Sequence, residues 1–114
     1  MRRVIVESPW AAGSEDERKR NIEYLREALR DCLIRGESPY ASHGLLTAVL
    51  NDKHPEDRAL GIEAGLVWGE AAHATVVYCD HGITGGMAAG IADAEDLGRP
   101  VEYRRLNDSD EKGD

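Results

Sequence analysis

The sequence has 114 residues, 41% hydrophobic and 32% charged, the size and mix of one globular domain that can close a core without disulfide or metal. Its net charge of -8 argues against a nucleic-acid polymer as partner, whereas a small anion stays open because a helix N-terminus supplies local positive potential. No apolar run approaches the roughly 20 residues of a membrane span, and the short apolar stretch after Met1-Arg2-Arg3 is broken at Glu7. No signal peptide and no membrane partner are therefore expected, and the cytoplasm is the expected compartment.

In chain order, Arg3-Val4-Ile5-Val6-Glu7 reads as a short buried strand, broken by Ser8-Pro9-Trp10-Ala11-Ala12-Gly13. Ser14 with Glu17 three residues on forms a capping box for a helix to about Arg35. The apolar stripe of that helix reads as Ile22, Leu25, Leu29, Cys32 and Leu33, and Gly36 suits its C-terminal end. Ser38-Pro39-Tyr40-Ala41 is a short extended piece with Ser42 and His43 just beyond it, and residues 45–50 suit a helical turn. Pro55 is placed to open the next helix, which carries Leu60, Ala64, Val67 and Ala71 on one face. Gly61, Gly65 and Gly69 lie on another face, for close packing on the chain itself or on a second copy. Thr75-Val76-Val77-Tyr78-Cys79 is the clearest strand. A glycine-rich turn, a helix from Gly85 to Leu97, the break Gly98-Arg99-Pro100 and an edge strand over residues 101–106 follow. Residues 1–106 thus read as a single domain and 107–114 as an acidic flexible tail.

The β-α-β-α-β-α-β order predicts an α/β fold, a small Rossmann-like or flavodoxin-like three-layer sandwich on a parallel sheet of about four strands. Ligands of such sheets bind beyond the carboxyl ends of the strands where strand order reverses. With strand order 2-1-3-4, that point lies between the loop Glu7 to Gly13 and the loop Asp80 to Gly86, with Ser42 and His43 on the same rim. Gly82-Ile83-Thr84-Gly85-Gly86-Met87 offers a backbone phosphate cradle at a helix N-terminus, although it lacks the lysine of a P-loop; a tight strand-to-helix turn without ligand is the plainer alternative. Asp80 suits ribose hydroxyls or a helix cap, Trp10 suits stacking on a base or packing on a helix end, and Ser8 and Pro9 share its loop. His43 is a polar or stacking contact or a structural histidine, and Asn21 points either into the cleft or to solvent. The cysteines Cys32 and Cys79 lack metal-site spacing and read as reduced thiols. No metal and no cofactor is expected.

Val4-Ile5-Val6-Glu7-Ser8-Pro9, the Asn21 helix, Gly36-Glu37-Ser38-Pro39-Tyr40-Ala41-Ser42-His43, and Gly82-Ile83-Thr84-Gly85-Gly86-Met87 leading to Gly98-Arg99-Pro100-Val101 together resemble phage-borne and bacterial nucleoside 2-deoxyribosyltransferase-like domains. The resemblance implies a Rossmann-like fold, a homo-oligomer and a pocket for nucleosides or nucleotides. It also implies a nucleophilic glutamate eight residues before Gly98, where this sequence has Gly90, and a tyrosine near Ile5. Asp80 matches the family's aspartate at the end of the third strand. Asp93, Glu95 and Asp96 lie nearby but are expected not to reach the pocket. The expectation is a protein that binds a small phosphorylated nucleotide or nucleotide-derived signal, such as a cyclic ADP-ribose type ligand, without turnover. In a phage-like setting that amounts to an anti-defence sponge. An N-glycosidase or deoxyribosyltransferase using another acid is the alternative, and an acidic interaction protein a further one.

Overall fold

The computed structural model describes residues 1–51 and 53–107, so residues 108–114 of the expected acidic tail lie outside the described residues. Strand β1 (Arg2–Glu7) leads to helix α1 (Glu15–Ile34) and β2 (Glu37–Tyr40). A short α2 (Ser42–Leu45) and a 3-10 turn (Leu46–Ala48) precede α3 (Pro55–Glu70), then β3 (Ala74–Tyr78), α4 (Gly85–Asp96) and β4 (Val101–Arg104) follow. The four strands form one parallel sheet in the order β2-β1-β3-β4, with Val6 opposite Val76 at its centre. This is the expected Rossmann-like architecture. Among the described residues, no helix is long and apolar enough to cross a membrane.

Alternation along β3 explains the layering. Ala74, Val76 and Tyr78 join Val4 and Val6 under the Tyr24, Leu25, Ala28 and Cys32 face of α1. Val77 packs with Met87 and Ile91 of α4. Both faces of the strand are covered, so all five of its residues are buried. The local signals act as read: Ser14 Oγ accepts from the Glu17 amide, Gly36 turns the chain at φ 81°, and Pro55 opens α3. Glu17 differs in one respect, reaching back to the Gly13 amide at 3.0 Å instead of closing the box on Ser14.

Three faces depart from the sequence pattern. The buried stripe of α1 is Asn21, Tyr24, Leu25, Ala28 and Cys32, while Leu33 is 54% exposed. The helix turns its hydrogen-bonding Asn21 and Tyr24 inward because both find partners there. On α3 the glycine face turns toward the chain and the apolar face toward solvent, with Leu60 56% and Val67 60% exposed. A Cβ on Gly65 would lie 2.9 Å from Ser42 Oγ, and one on Gly69 would lie 3.3 Å from the Arg99 guanidinium. The glycines thus let α3 approach α2 and Arg99. In β4 the charged positions, not Tyr103, face inward: buried Arg104 donates to Glu37 at 2.8 Å, to Tyr78 Oη at 3.1 Å and to Glu102 at 3.0 Å. A charge so deeply placed is tolerated because its donors are satisfied.

Candidate functional site

A cleft of about 820 Å3 opens on the α4 side of the sheet, between α4 and the α2–α3 segment. Its size is that of small-molecule sites, and it reaches the rim where β1 and β3 diverge. The floor is the end of β1 with Glu7 and Ser8; one wall is α4 along its length, from Gly85 to Asp96; the other carries Ser42, His43 and the glycine face of α3.

Eight of the residues singled out from the sequence line this cleft: Ser8, Trp10, Ser42, His43, Thr84, Gly85, Gly86 and Met87. Ser8 Oγ lies 2.9 Å from His43 Nε2, and the His43 ring meets Trp10 edge-on with centroids 5.5 Å apart. Thr84 caps α4 by accepting from the Met87 amide at 3.3 Å, and its own amide turns back to Met87 Sδ at 3.5 Å. That leaves the Gly85 and Gly86 amides as the helix-end donors without an intrahelical acceptor. A Cβ on Gly85 would meet nothing within 4 Å, and both glycines line the cleft.

The other four residues lie elsewhere. Asp80 does not line the cleft. Its carboxylate accepts from Tyr24 Oη at 2.6 Å and from the Leu106 and Asn107 amides at 2.9 and 3.2 Å. These hydrogen bonds hold its pKa below the ordinary carboxylate value against the opposing effect of burial. Asp80 therefore ties α1 and the end of β4 to the β3 turn. Asn21 donates to the Trp10 carbonyl at 3.1 Å and shapes the loop after β1 from behind. Pro9 is buried in that loop. Gly82 serves the turn itself, at φ 87° with its amide bonded to the Cys79 carbonyl.

Five functional groups on the cleft were missed or misplaced by sequence reasoning. Asp93 and Asp96 of α4 line it after all, and Arg99 and Arg58 contribute cations. Arg99 is committed to Thr75, the Gly69 carbonyl and Asp93. Arg58 makes no ion pair among the described residues. The fifth group is Glu7. Its carboxylate lies directly over Gly90: a Cβ at position 90 would collide with Oε2 and lie 2.5 Å from Cδ and 2.8 Å from Oε1. Glu7 makes no hydrogen bond or ion pair among the described residues. Burial raises its pKa to about 7, an effect that Asp93 reinforces and Arg99 partly offsets. The signal was a carboxylate ending an apolar strand at the ligand-binding rim. Nothing local to Gly90 shows that a carboxylate from β1 fills the space over it.

The fold is similar to that of the 2-deoxyribosyltransferase from the psychrotolerant bacterium Bacillus psychrosaccharolyticus, with a TM-score of 0.65 and 19% identity, covering 90% of this chain and 72% of that one. Among curated proteins, none matches the chain in sequence. A family profile described as "Domain of unknown function (DUF7768)" matches residues 2–104, nearly the whole of the described chain, and the chain belongs to that family.

Proposed function

We propose that the chain binds a nucleoside or nucleotide in the cleft between α3 and α4. The observation that carries this reading is the pair of amides at Gly85 and Gly86, without an acceptor among the described residues, at a cleft of ligand size where β1 and β3 diverge. In this reading a phosphate lies over those amides within reach of Arg58, the sugar lies beside Glu7 and Ser8, and the base reaches Trp10 and His43. The structural neighbour, whose description concerns the synthesis of nucleosides, supports a nucleoside-type ligand. Asp80, spent on Tyr24 and two backbone amides, is not assigned to the sugar.

The test is calorimetric titration of the protein with deoxynucleosides, their 5′-monophosphates and a cyclic ADP-ribose. Gly85→Val should keep the circular dichroism and melting temperature of the parent while weakening nucleotide binding at least tenfold, because its side chain would meet no protein atom within 4 Å at its Cβ and would take up space on the cleft wall beside the amides. Unchanged affinity in that variant would put the ligand elsewhere. Two outcomes can follow binding: retention of an intact signal, which is sequestration, or cleavage of its glycosidic bond. The unpartnered carboxylate of Glu7 favours the second.

A further inference from the structure

We infer that Glu7 is the reacting carboxylate of this cleft, acting as a proton shuttle for water in hydrolysis of an N-glycosidic bond. The inference rests on the nucleoside reading above and extends it from binding to chemistry. Four carboxylates come under consideration, and three are otherwise engaged or placed. Asp80 lies outside the cleft and accepts three hydrogen bonds. Asp93 is paired with Arg99 at 3.2 Å. Asp96 is exposed on the last turn of α4, ten residues beyond Gly86. Glu7 alone is both half-buried and without a hydrogen bond or ion pair among the described residues, and it lines the floor of the cavity.

Gly90 is the second half of the arrangement. In the middle of α4 a glycine is unfavourable for the helix. Here any larger residue would overlap the Glu7 carboxylate, so the absence of a side chain on the helix is what admits the acid from the strand. The carboxylate thus occupies the volume that a residue at position 90 would fill. Gly90 is four residues along α4 from Gly86, about 6 Å by the helical rise. An anion over the Gly85 and Gly86 amides and the carboxylate over Gly90 are therefore about one helical turn apart along α4, a separation that a 5′-nucleotide can bridge.

The step balances with water as the only co-reactant. Glu7 takes a proton from a water molecule as the water oxygen bonds to C1′. The C1′–N bond breaks and its electron pair remains on the base nitrogen. That nitrogen then receives the proton from Glu7, which regenerates the carboxylate. One water is consumed, and free base and sugar leave. A desolvated carboxylate that titrates near neutrality is suited to carrying a proton both ways.

The experiment incubates the wild-type protein and Glu7→Gln with thymidine, deoxyadenosine, dTMP, dAMP and AMP. Free base is quantified by chromatography, and binding of the same probes is measured by calorimetry. The expected result is base release over many turnovers by the wild type. Glu7→Gln should bind within about threefold and release base at least 100-fold more slowly, the range of lost acid–base catalysis. The wild-type rate should rise with pH through about 7, and this limb should vanish in Glu7→Gln even though His43, Asp93, Asp96, Arg58 and Arg99 still face the cleft. Tight binding with every probe recovered intact would overturn the role of Glu7 and leave a trap. Base release that survives in Glu7→Gln would overturn it as well. Absence of both binding and release would overturn the nucleoside reading and the inference together. Should Glu7→Gln fail to fold, Glu7→Ala, which removes the acid without adding a new donor, replaces it.

Discussion

Glu7 pairs an unfavourable environment with an unusual neighbour, and both leave a thermodynamic signature separate from any chemistry. Its pKa of about 7 lies above the ordinary value of 4.5 that the unfolded chain would show. The native state therefore holds the proton more tightly. The associated stability is fully present below about pH 4.5 and is lost as pH rises through about 7. At 1.36 kcal/mol per unit the loss is on the order of 3 kcal/mol, or roughly 10 °C in melting temperature for a domain of this size. Glu37 works in the opposite sense. Arg104 and Arg2 draw its pKa down to about 2, so its contribution is lost only as pH falls from about 4.5 toward 2. Between pH 5 and pH 8 Glu37 stays ionised, and the difference between wild type and Glu7→Gln isolates Glu7. Calorimetric melting at these two pH values should show the variant gaining on the wild type at pH 8 by roughly this amount. Parallel pH dependences would mean that the carboxylate is well solvated.

At the scale of elements, the ends of helices and strands were legible because their signals are local. Ser14, Gly36, Pro55, Thr84 and Gly98 each act within a few residues of their own position, and each sits at the boundary it announces. The direction in which an element faces was less legible, since that depends on partners far along the chain. Tyr24 turns inward because Asp80, 56 residues away, accepts from it. The apolar face of α3 looks outward because the glycines opposite it let Ser42 and Arg99 come close. The candidate site divides in the same way. The turn Gly82 to Met87 was visible as a motif, whereas the meeting of Glu7 with Gly90 appears only when β1 lies beside α4. Within that turn the glycines have different tasks, which a paired substitution separates. Gly82 sits at φ 87°, where an alanine is strained by roughly 1–2 kcal/mol. Gly85, at the first position of α4 with nothing within 4 Å of a Cβ, should accept alanine with no loss or a small gain. Urea unfolding of Gly82→Ala and Gly85→Ala checks this ordering. Equal midpoints would mean that the turn is not held in its left-handed form.

For the molecule as a whole, the imbalance among its helices bears on assembly. Helix α1 buries five residues and α4 three, whereas α3, 16 residues long, buries only Gly69. Leu60 and Val67, 56% and 60% exposed, lie on its outer face, while Ile62 and Leu66 line the cleft and Trp68 lies against Tyr40. Apolar side chains grouped at a surface mark protein–protein contacts. A second copy meeting α3 across a two-fold axis is the simplest cover, since two-fold dimers are the commonest assemblies and one patch then serves both partners. The same helix forms a wall of the cleft, so covering its outer face would hold the wall in place, and ligand and partner would stabilise each other by mass action. Light scattering at micromolar concentration should then report a mass of at least two chains of 12.5 kDa. Val67→Glu, which places a charge on the exposed face and touches no residue of the cleft floor, should return the protein to a single chain. It should also weaken nucleotide binding by an amount that recovers at high protein concentration. A wild-type mass of one chain at every concentration would remove the assembly and leave α3 as a wall that one chain holds unaided.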